Sequence, residues 1–505
     1  MRKLIIIIIL MMMPVCYSET SVTVPEFDVM INGVVIDKES STYPIFTYKS
    51  ITYIPLTSDY IDGFGLQLEF TPVNGLNIWK STVKDFEPSF LEGNFKIGQS
   101  VSVREVPFQV TMNDKQIEST YPVLFYEDIV YMPLTWEVAH DILGFDYYYD
   151  GNLYIGQRKE ILDVERMRVS VGENIKEVGF TFSLDSKNDL NLYIDNHIVP
   201  LEYEYVEALD KYVYKCTVVN LESEQLYKFR IGNEMVISKY FDFTSLPNDV
   251  IELTYFGDIQ GYNLSQYETF REVYDDAGEI DLAYIAGDIV DKGNSLSHWN
   301  YFDQMMATTH QDVMVTAIGN HDAYGKSKIY ENTFNYPENG LYSERNFYFD
   351  LPYARVAVVD TESSHSDQKA WLKETMDVNK FKIVLMHRSV YPIKYDGSYV
   401  RSFADTFDEL NIDLVLSGHD HIYSRTQMKD NQKDAAGVVY IVGGSGSGSK
   451  YYNQSTERYW QDVIYDNNNP VFIKLKLSED KIDIESYAVE SEIRLIDSTT
   501  IEKSE

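Results

Sequence analysis

Cysteine is scarce. The 505-residue chain has two, Cys16 and Cys216. Cys16 falls in a leader-like stretch, so a chain processed there keeps Cys216 alone, which excludes an intramolecular disulfide and a thiolate zinc cluster. Positive charge is also short. The 43 Lys and Arg are outnumbered by 79 Asp and Glu, a formal net charge of -36. Such a surface repels nucleic-acid backbones and anionic membranes, so no general nucleic-acid role is expected. Small anionic substrates remain open, because bound cations invert the field inside a site. Long apolar runs are missing apart from Leu4 to Met13, and no later run approaches the roughly 20 residues that span a bilayer. There are only nine histidines, which makes their clustering informative.

What is present begins with Met1-Arg2-Lys3, that apolar run and then Cys16-Tyr17-Ser18. A basic start, a short apolar core and small residues at the end describe a secretory signal peptide over 1–18, with cleavage expected after Ser18. Lipid attachment at Cys16 is the alternative, and Pro14-Val15 matches a lipobox poorly. The expected location is secreted or cell-surface, of bacterial type.

Residues 19–157 hold an internal repeat. Tyr43-Pro44, Tyr48, Ile51, Tyr53, Pro55, Leu56 and Thr57 recur as Tyr121-Pro122, Tyr126, Ile129, Tyr131, Pro133, Leu134 and Thr135. Each copy reads strand, turn, strand, short helix and a final hairpin, an α+β module. It resembles the copper amine oxidase N-terminal-like domain of secreted bacterial proteins. Copper is not expected here, since Cu(II) sites want several imidazoles and His140 is read as a packed core residue. The module is read as a non-catalytic stalk or adhesion element, with a cell-wall or envelope polymer as its partner.

Residues 160–247 alternate with strand period, as in Val178-Gly179-Phe180-Thr181-Phe182 and Tyr212-Val213-Tyr214-Lys215-Cys216, which predicts a β-sandwich. The Leu221 to Tyr227 segment resembles a fibronectin-type-III-like fold, and Cys216 is read as a small core residue. From Ile251 strands alternate with helices, the mark of βαβ units and a largely parallel sheet. This domain is expected over 250–490, with 491–505 as a C-terminal tail.

Within it, five strand-like runs end in chemistry: Gly257-Asp258, Gly287-Asp288, Gly319-Asn320-His321-Asp322, His387, and Gly418-His419-Asp420-His421. Open α/β sheets bind ligands beyond the carboxyl ends of their strands. Asp258, Asp288, Asn320, His387, His419 and His421 form a hard-to-borderline donor set suited to Fe, Mn or Zn. Six ligands exceed one tetrahedral zinc, so two metals are the natural count. Two metals about 3.5–4 Å apart sharing a carboxylate clamp the attacking and leaving oxygens of phosphoryl transfer. Any single Gly-Asp is more often a turn; the ordered set is not.

The order of these motifs resembles the calcineurin-like metallophosphoesterases. Tyr348-Phe349-Asp350, Val359-Asp360-Thr361-Glu362, Trp371-Leu372, His419 to Thr426 and Val442-Gly443-Gly444 are similar to the purple acid phosphatase branch, in which a sandwich precedes the catalytic domain. The resemblance implies a multidomain chain with an α/β four-layer metallophosphoesterase sandwich. It implies Asp288 as the bridging ligand, Asn320, His387 and His419 on one metal, and Asp258 with His421 on the other. It also implies His321 as the substrate-contacting general acid, and a metal-bound hydroxide attacking a small phosphate ester, monoesters before diesters. Two departures stand out. Gln260 occupies the usual histidine of the first motif, a weaker ligand if it is one. Asp291 replaces the tyrosine that colours purple acid phosphatases, so a colourless protein is expected. A non-catalytic envelope-binding protein, or a secreted phosphodiesterase or nucleotidase, is the alternative. Gly443 to Lys450 lacks a phosphate-loop ending and is read as a flexible loop rimming the site. His197, His298, His310 and His365 are read as surface or packing residues.

Overall fold

The computed structural model describes residues 19–503, apart from 85, 87–91, 114, 118–119, 150, 158–159, 196, 234–235, 309, 327 and 455. The expected leader, 1–18, lies outside the described residues. The chain divides into two compact units, up to residue 159 and from 160 onward.

In the first unit a closed barrel takes strands Glu19–Thr23, Phe46–Tyr48, Ile51–Pro55, Ile129–Pro133, Leu124–Tyr126 and Ser100–Glu105 in that order. The two Tyr-x-Pro-Leu-Thr segments pair with one another. Tyr131 lies opposite Pro55, Met132 opposite Ile54 and Pro133 opposite Tyr53. Leu56 N–H donates to the Val130 carbonyl and Leu134 N–H to that of Thr52, both at 2.8 Å. Equivalent residues thus exchange equivalent bonds about a local two-fold axis. His140 is not a core residue. Its side chain is 19% exposed and its ring stacks on Trp136, because it sits on a short π-helical turn, Glu137–Ile142, whose wider pitch turns it away from the interior.

In the second unit, the strands used below are β1 (Ile251–Phe256), β2 (Leu282–Ile285), β3 (Val313–Thr316), β4 (Ala354–Val359), β5 (Phe381–Arg388), β6 (Leu414–Gly418), β7 (Tyr423–Lys429), β8 (Val438–Gly443), β9 (Val471–Leu477), β10 (Lys481–Val489) and β11 (Ile493–Glu502). The helices are α1 (Leu264–Asp276), α2 (Leu296–Met306), α3 (His365–Thr375) and α4 (Phe403–Leu410). β1, β2 and β3 run parallel and are buried almost throughout, as expected of strands covered on both faces. A second sheet runs Phe347–Asp350, β4, β5, β6, β8, β7 and Gln432–Lys433. The sheets face one another. Tyr255 donates its hydroxyl to the Ser417 carbonyl, and Tyr284 to that of Met386 at 3.3 Å. α1 and α2 cover the first sheet through Tyr267, Phe270, Trp299 and Phe302. α3 and α4 cover the second through Trp371, Leu372, Phe403 and Phe407. α1 starts where Asn263 Oδ1 accepts the Gln266 N–H at 3.2 Å and Gln266 Oε1 accepts that of Tyr262 at 2.9 Å, an N-terminal cap.

Two sequence readings change here. The segment 160–247 does not stop at a boundary before the α/β region. Its strand Glu165–Val171 pairs in parallel with β3, so its sheet and that of β1–β3 form one ten-stranded sheet over a shared core. Residues 491–505 are not a tail as a whole, since β11 pairs with β10 along its length. β11 lies at the sheet edge with only Ile493, Leu495, Ile496 and Ile501 apolar and a polar run from Asp497 to Thr500, and so carries little hydrophobic signal. Cys216 is half-buried and free, with burial pushing its thiol up to about 12.

Candidate metal centre

The site lies where β1, β2, β3, β5 and β6 end. Each turn there needs backbone room. A Cβ on Gly319 would meet Asp288 Oδ1 at 2.1 Å, and one on Gly418 would meet Asp258 Oδ1 at 2.3 Å. Asp288, His419 and His421 are held in the left-handed region at φ 46, 70 and 52. Such strain in non-glycine residues persists only where surroundings over-determine it, and it clusters at functional sites.

Asp258 and Asp288 are buried, with His387 and His421 beside them. Asp288 Oδ1 accepts the His321 N–H at 2.8 Å, and its Oδ2 lies 3.4 Å from His387 Nε2. Asn320 Oδ1 is 3.2 Å from the same Nε2. Asp258 Oδ1 accepts the His419 N–H at 2.6 Å, and its Oδ2 lies 3.2 Å from His421 Nε2. His387 donates Nδ1–H to the Ala286 carbonyl at 2.8 Å, and His421 to that of Lys450 at 2.8 Å. Both bonds fix the tautomer and free Nε2 as a ligand. Ligand atoms of Asp288, His387 and His419 come within 4.8 Å of one another.

The electrostatics call for a cation. Burial opposes charge on Asp288, yet His387 and then His321 hold it well below the usual carboxylate range. Burial likewise opposes charge on His387, but Asp288 and Asp258 push it up to about 10. Without a metal, therefore, a proton on His387 supplies the positive charge that the paired carboxylates demand. His419 goes the other way. Burial, then His387 and Arg388, drive it down to about 2, which keeps it neutral as a ligand must be. Asp258 Oδ2 is buried, and its neighbour is His421 Nε2 at 3.2 Å, a ring nitrogen without a proton when Nδ1–H is given to the Lys450 carbonyl. A buried carboxylate oxygen left so is costly unless a cation takes it. The residues fit a two-metal centre.

Gln260, also at positive φ (44), turns its carboxamide nitrogen to Asp291 Oδ1 at 3.2 Å and to the His321 ring at 3.0 Å. His321 donates Nδ1–H to the Asp291 carbonyl at 2.6 Å and is about a third exposed. The structure thus places Gln260 beside the proton-transfer candidate, with its nitrogen rather than its ligating oxygen in the contact.

Two participants lie outside the ligand set, and Arg388 carries no signal in the local sequence. Arg388 follows His387, is clamped by Glu362 at 2.6 and 3.2 Å, and has its remaining nitrogen 3.0 Å from His419 Nε2. Beside it a cavity of about 290 Å³ is lined by Asn320, His419, Tyr395 and Tyr399. Asp322 is buried and accepts the N–H groups of Gly319 and Val290; burial and then Asp288 push it up to about 8. The signal for it was the fourth residue of Gly-Asn-His-Asp, which needs no metal to be useful.

The Gly-Ser segment is not a flexible loop. Gly443 to Ser447 are buried, and Asp258 exchanges backbone bonds with it, donating to Gly444 at 3.3 Å and accepting from Gly446 at 2.9 Å. Ser447 and Ser449 both donate to the Ile259 carbonyl, at 2.5 and 2.7 Å. The small residues are there because a Cβ on Gly257 would meet the Gly444 carbonyl at 2.2 Å. The segment straps the Asp258–His421 half of the site. The double variant Ser447→Ala/Ser449→Ala is expected to weaken one metal of two by about 10–100-fold, as read by equilibrium dialysis. Equal loss of both metals would count against a strap confined to one half.

His310 pairs with Asp242 at 2.6 Å, and His365 bonds the Thr361 carbonyl at 2.9 Å, so neither joins the site. The calcineurin-like phosphoesterase family model matches residues 251–423. Phosphoenolpyruvate phosphatase of Allium cepa is 21% identical over 317 residues, 56% of this chain and 63% of that protein. A probable inactive purple acid phosphatase 24 of Arabidopsis thaliana is 24% identical over 342 residues, 55% of each. The chain thus spans less than two thirds of the length of these relatives. Among solved structures, purple acid phosphatase PPD1 from yellow lupin seeds superposes with TM-score 0.56 at 16% identity, covering 70% of this chain and 78% of that one. The strand-end carboxylates and imidazoles therefore sit in a calcineurin-like metallophosphoesterase domain that has purple acid phosphatases among its homologues.

Proposed function

We propose that the protein is exported and hydrolyses phosphate esters, monoesters before diesters, at a centre of two Fe, Mn or Zn ions. The observation that carries this is the convergence of buried Asp258 and Asp288 with Asn320, His387, His419 and His421, each carboxylate facing an imidazole Nε2 at 3.2–3.4 Å. In this reading Asp288 would be shared by the two ions, Asn320, His387 and His419 would complete one, and Asp258 and His421 would hold the other. When bound, the pair would supply Lewis acidity and a water acidified to serve as nucleophile near neutral pH. The chain does the rest. His321, its Nδ1 committed to the Asp291 carbonyl, would protonate the leaving oxygen from Nε2 once the Gln260 carboxamide, whose nitrogen lies 3.0 Å from it, turns aside. Arg388, held flat by Glu362, would offer phosphate oxygens the N–H bonds left over from its contacts with Glu362 and His419. A second cationic contact favours the dianion of a monoester.

Gln260, standing where the family has histidine, and relatives named as probably inactive favour a second reading, a non-catalytic binding protein with a degenerate site. One experiment separates them. Metal content of the purified chain is measured with its hydrolysis of p-nitrophenyl phosphate and the bis-ester, before chelation, after it, and after adding back Fe, Mn or Zn. About two metals, metal-restored turnover and a colourless preparation are expected. No turnover under any add-back would leave the binding reading standing.

A further inference from the structure

We propose that the first unit carries a binding site for a neutral sugar ring, built on Trp136; this inference stands independently of the phosphoesterase reading. A cavity of about 300 Å³ opens in that unit, with Trp136 in its wall beside Gln116, Tyr121, Thr135 and Glu137. Trp136 is 52% exposed. One face of its indole is covered by the His140 ring, centroids 4.1 Å apart and planes 19° apart, and Tyr147 meets it edge-on at 5.3 Å. The His140 ring is pinned in turn by Asp141 at 2.9 Å. The indole is fixed on one face by His140 and half accessible, and its accessible part lines the cavity.

The repeat supplies an internal control. Thr57-Ser58 in the first copy stands where Thr135-Trp136 stands in the second. The first copy continues into an ordinary α-helix, Ser58–Gly63. The second continues into a π-helical turn, in which Leu143 N–H reaches back five residues to the Val138 carbonyl at 3.0 Å. π turns are rare and concentrate at functional sites. The barrel pairing is the same for both copies, so the barrel itself needs neither the tryptophan nor the turn. One copy has gained a rigid, open aromatic surface that the other lacks.

The lining points to the ligand. A flat aromatic face and the aliphatic side chains of Ile117, Val138 and Ile142 adjoin an amide, hydroxyls and one carboxylate, a wall that pairs apolar surface with hydroxyl-matching groups as a sugar ring requires. Lys115 and Glu137 both border the cavity and balance in charge, so neither an anion nor a cation is favoured. A pyranose has an apolar C–H face for the indole and an equatorial rim of hydroxyls for Gln116, Thr135 and Glu137. The volume sits at the lower end for small-molecule sites, the size for one ring of a longer chain.

The test titrates the full-length protein calorimetrically with chitotetraose, cellotetraose and maltotetraose. At least one is expected to bind, with Trp136→Ala weakening it about tenfold or more, Trp136→Phe less, and both melting with wild type. If Trp136→Ala does not fold, Gln116→Ala reads the same site from an exposed position. Failure of all three sugars to bind, or equal binding by the Trp136 variants, would overturn the proposal. Loss of hydrolysis in wild type with sugar binding intact would instead count against the phosphoesterase reading alone.

Discussion

Replacing Asn320 with alanine is expected to lower turnover of p-nitrophenyl phosphate by about 10²–10³-fold, the scale of losing one preorganised polar group at a reacting centre, while the melting temperature holds. The side chain is neutral and only half-buried, and its amide oxygen lies 3.2 Å from His387 Nε2, so truncation strands no buried charge. His387→Ala should lose hydrolysis as well but at a different cost. It removes the partner of Asp288, a carboxylate 2% exposed, and an orphaned buried ion costs about 3–5 kcal/mol. The pair of variants therefore separates chemistry from folding: both inactive, only the histidine variant less stable. Near-normal turnover by Asn320→Ala would remove the metal-centre reading, because no other role for that amide is visible at the site.

The contrast between these variants shows what the sequence could disclose. Each ligand lies at a buried strand's end or within four residues of it, and a run of apolar residues broken by Gly-Asp or Gly-His is a local pattern. The topology then brings the strand ends together, so ligands far apart in the chain were legible one at a time. What stayed hidden depends on partners distant in sequence. The strap at Gly443 to Lys450 looks like a flexible linker by composition, yet its glycines and serines are small because Asp258 lies against them. Arg388 reads as an ordinary basic residue until Glu362 is found beside it. The boundary near 247 and the tail after 490 were placed from shifts in hydrophobic period, which cannot see that one ten-stranded sheet runs through both. Gln260 was weighed as a ligand because the family pattern has histidine there; its contacts with Asp291 and His321 give it a different neighbourhood.

Asp420, between two ligands in Gly-His-Asp-His, also depends on partners distant in sequence, and its truncation should be costly. It is buried, and its two oxygens accept the backbone N–H groups of Ile393 at 2.5 Å, Lys394 at 2.8 Å and Tyr395 at 3.1 Å. Those residues carry the loop whose Tyr395 stacks on the His419 ring at 4.6 Å. Asp420→Ala leaves three donors without acceptors at about 1 kcal/mol or more each, so a loss of about 3 kcal/mol in stability and a fall in turnover are expected together. The carboxyl also gives a pH signature. Burial, working against those three donors, pushes it up to about 6 from 3.8. A carboxyl with its folded value raised binds its proton more tightly in the native state, so its contribution is complete below about pH 3.8 and is lost as pH rises through 6. The shift of about two units corresponds to about 3 kcal/mol. Asp420→Asn cannot titrate. Measured on chelated protein, the stability gap between wild type and Asp420→Asn should therefore move in the variant's favour from pH 4 to pH 7. A gap that stays constant across that range would mean the carboxyl is ionised throughout, and that the three N–H bonds outweigh its burial.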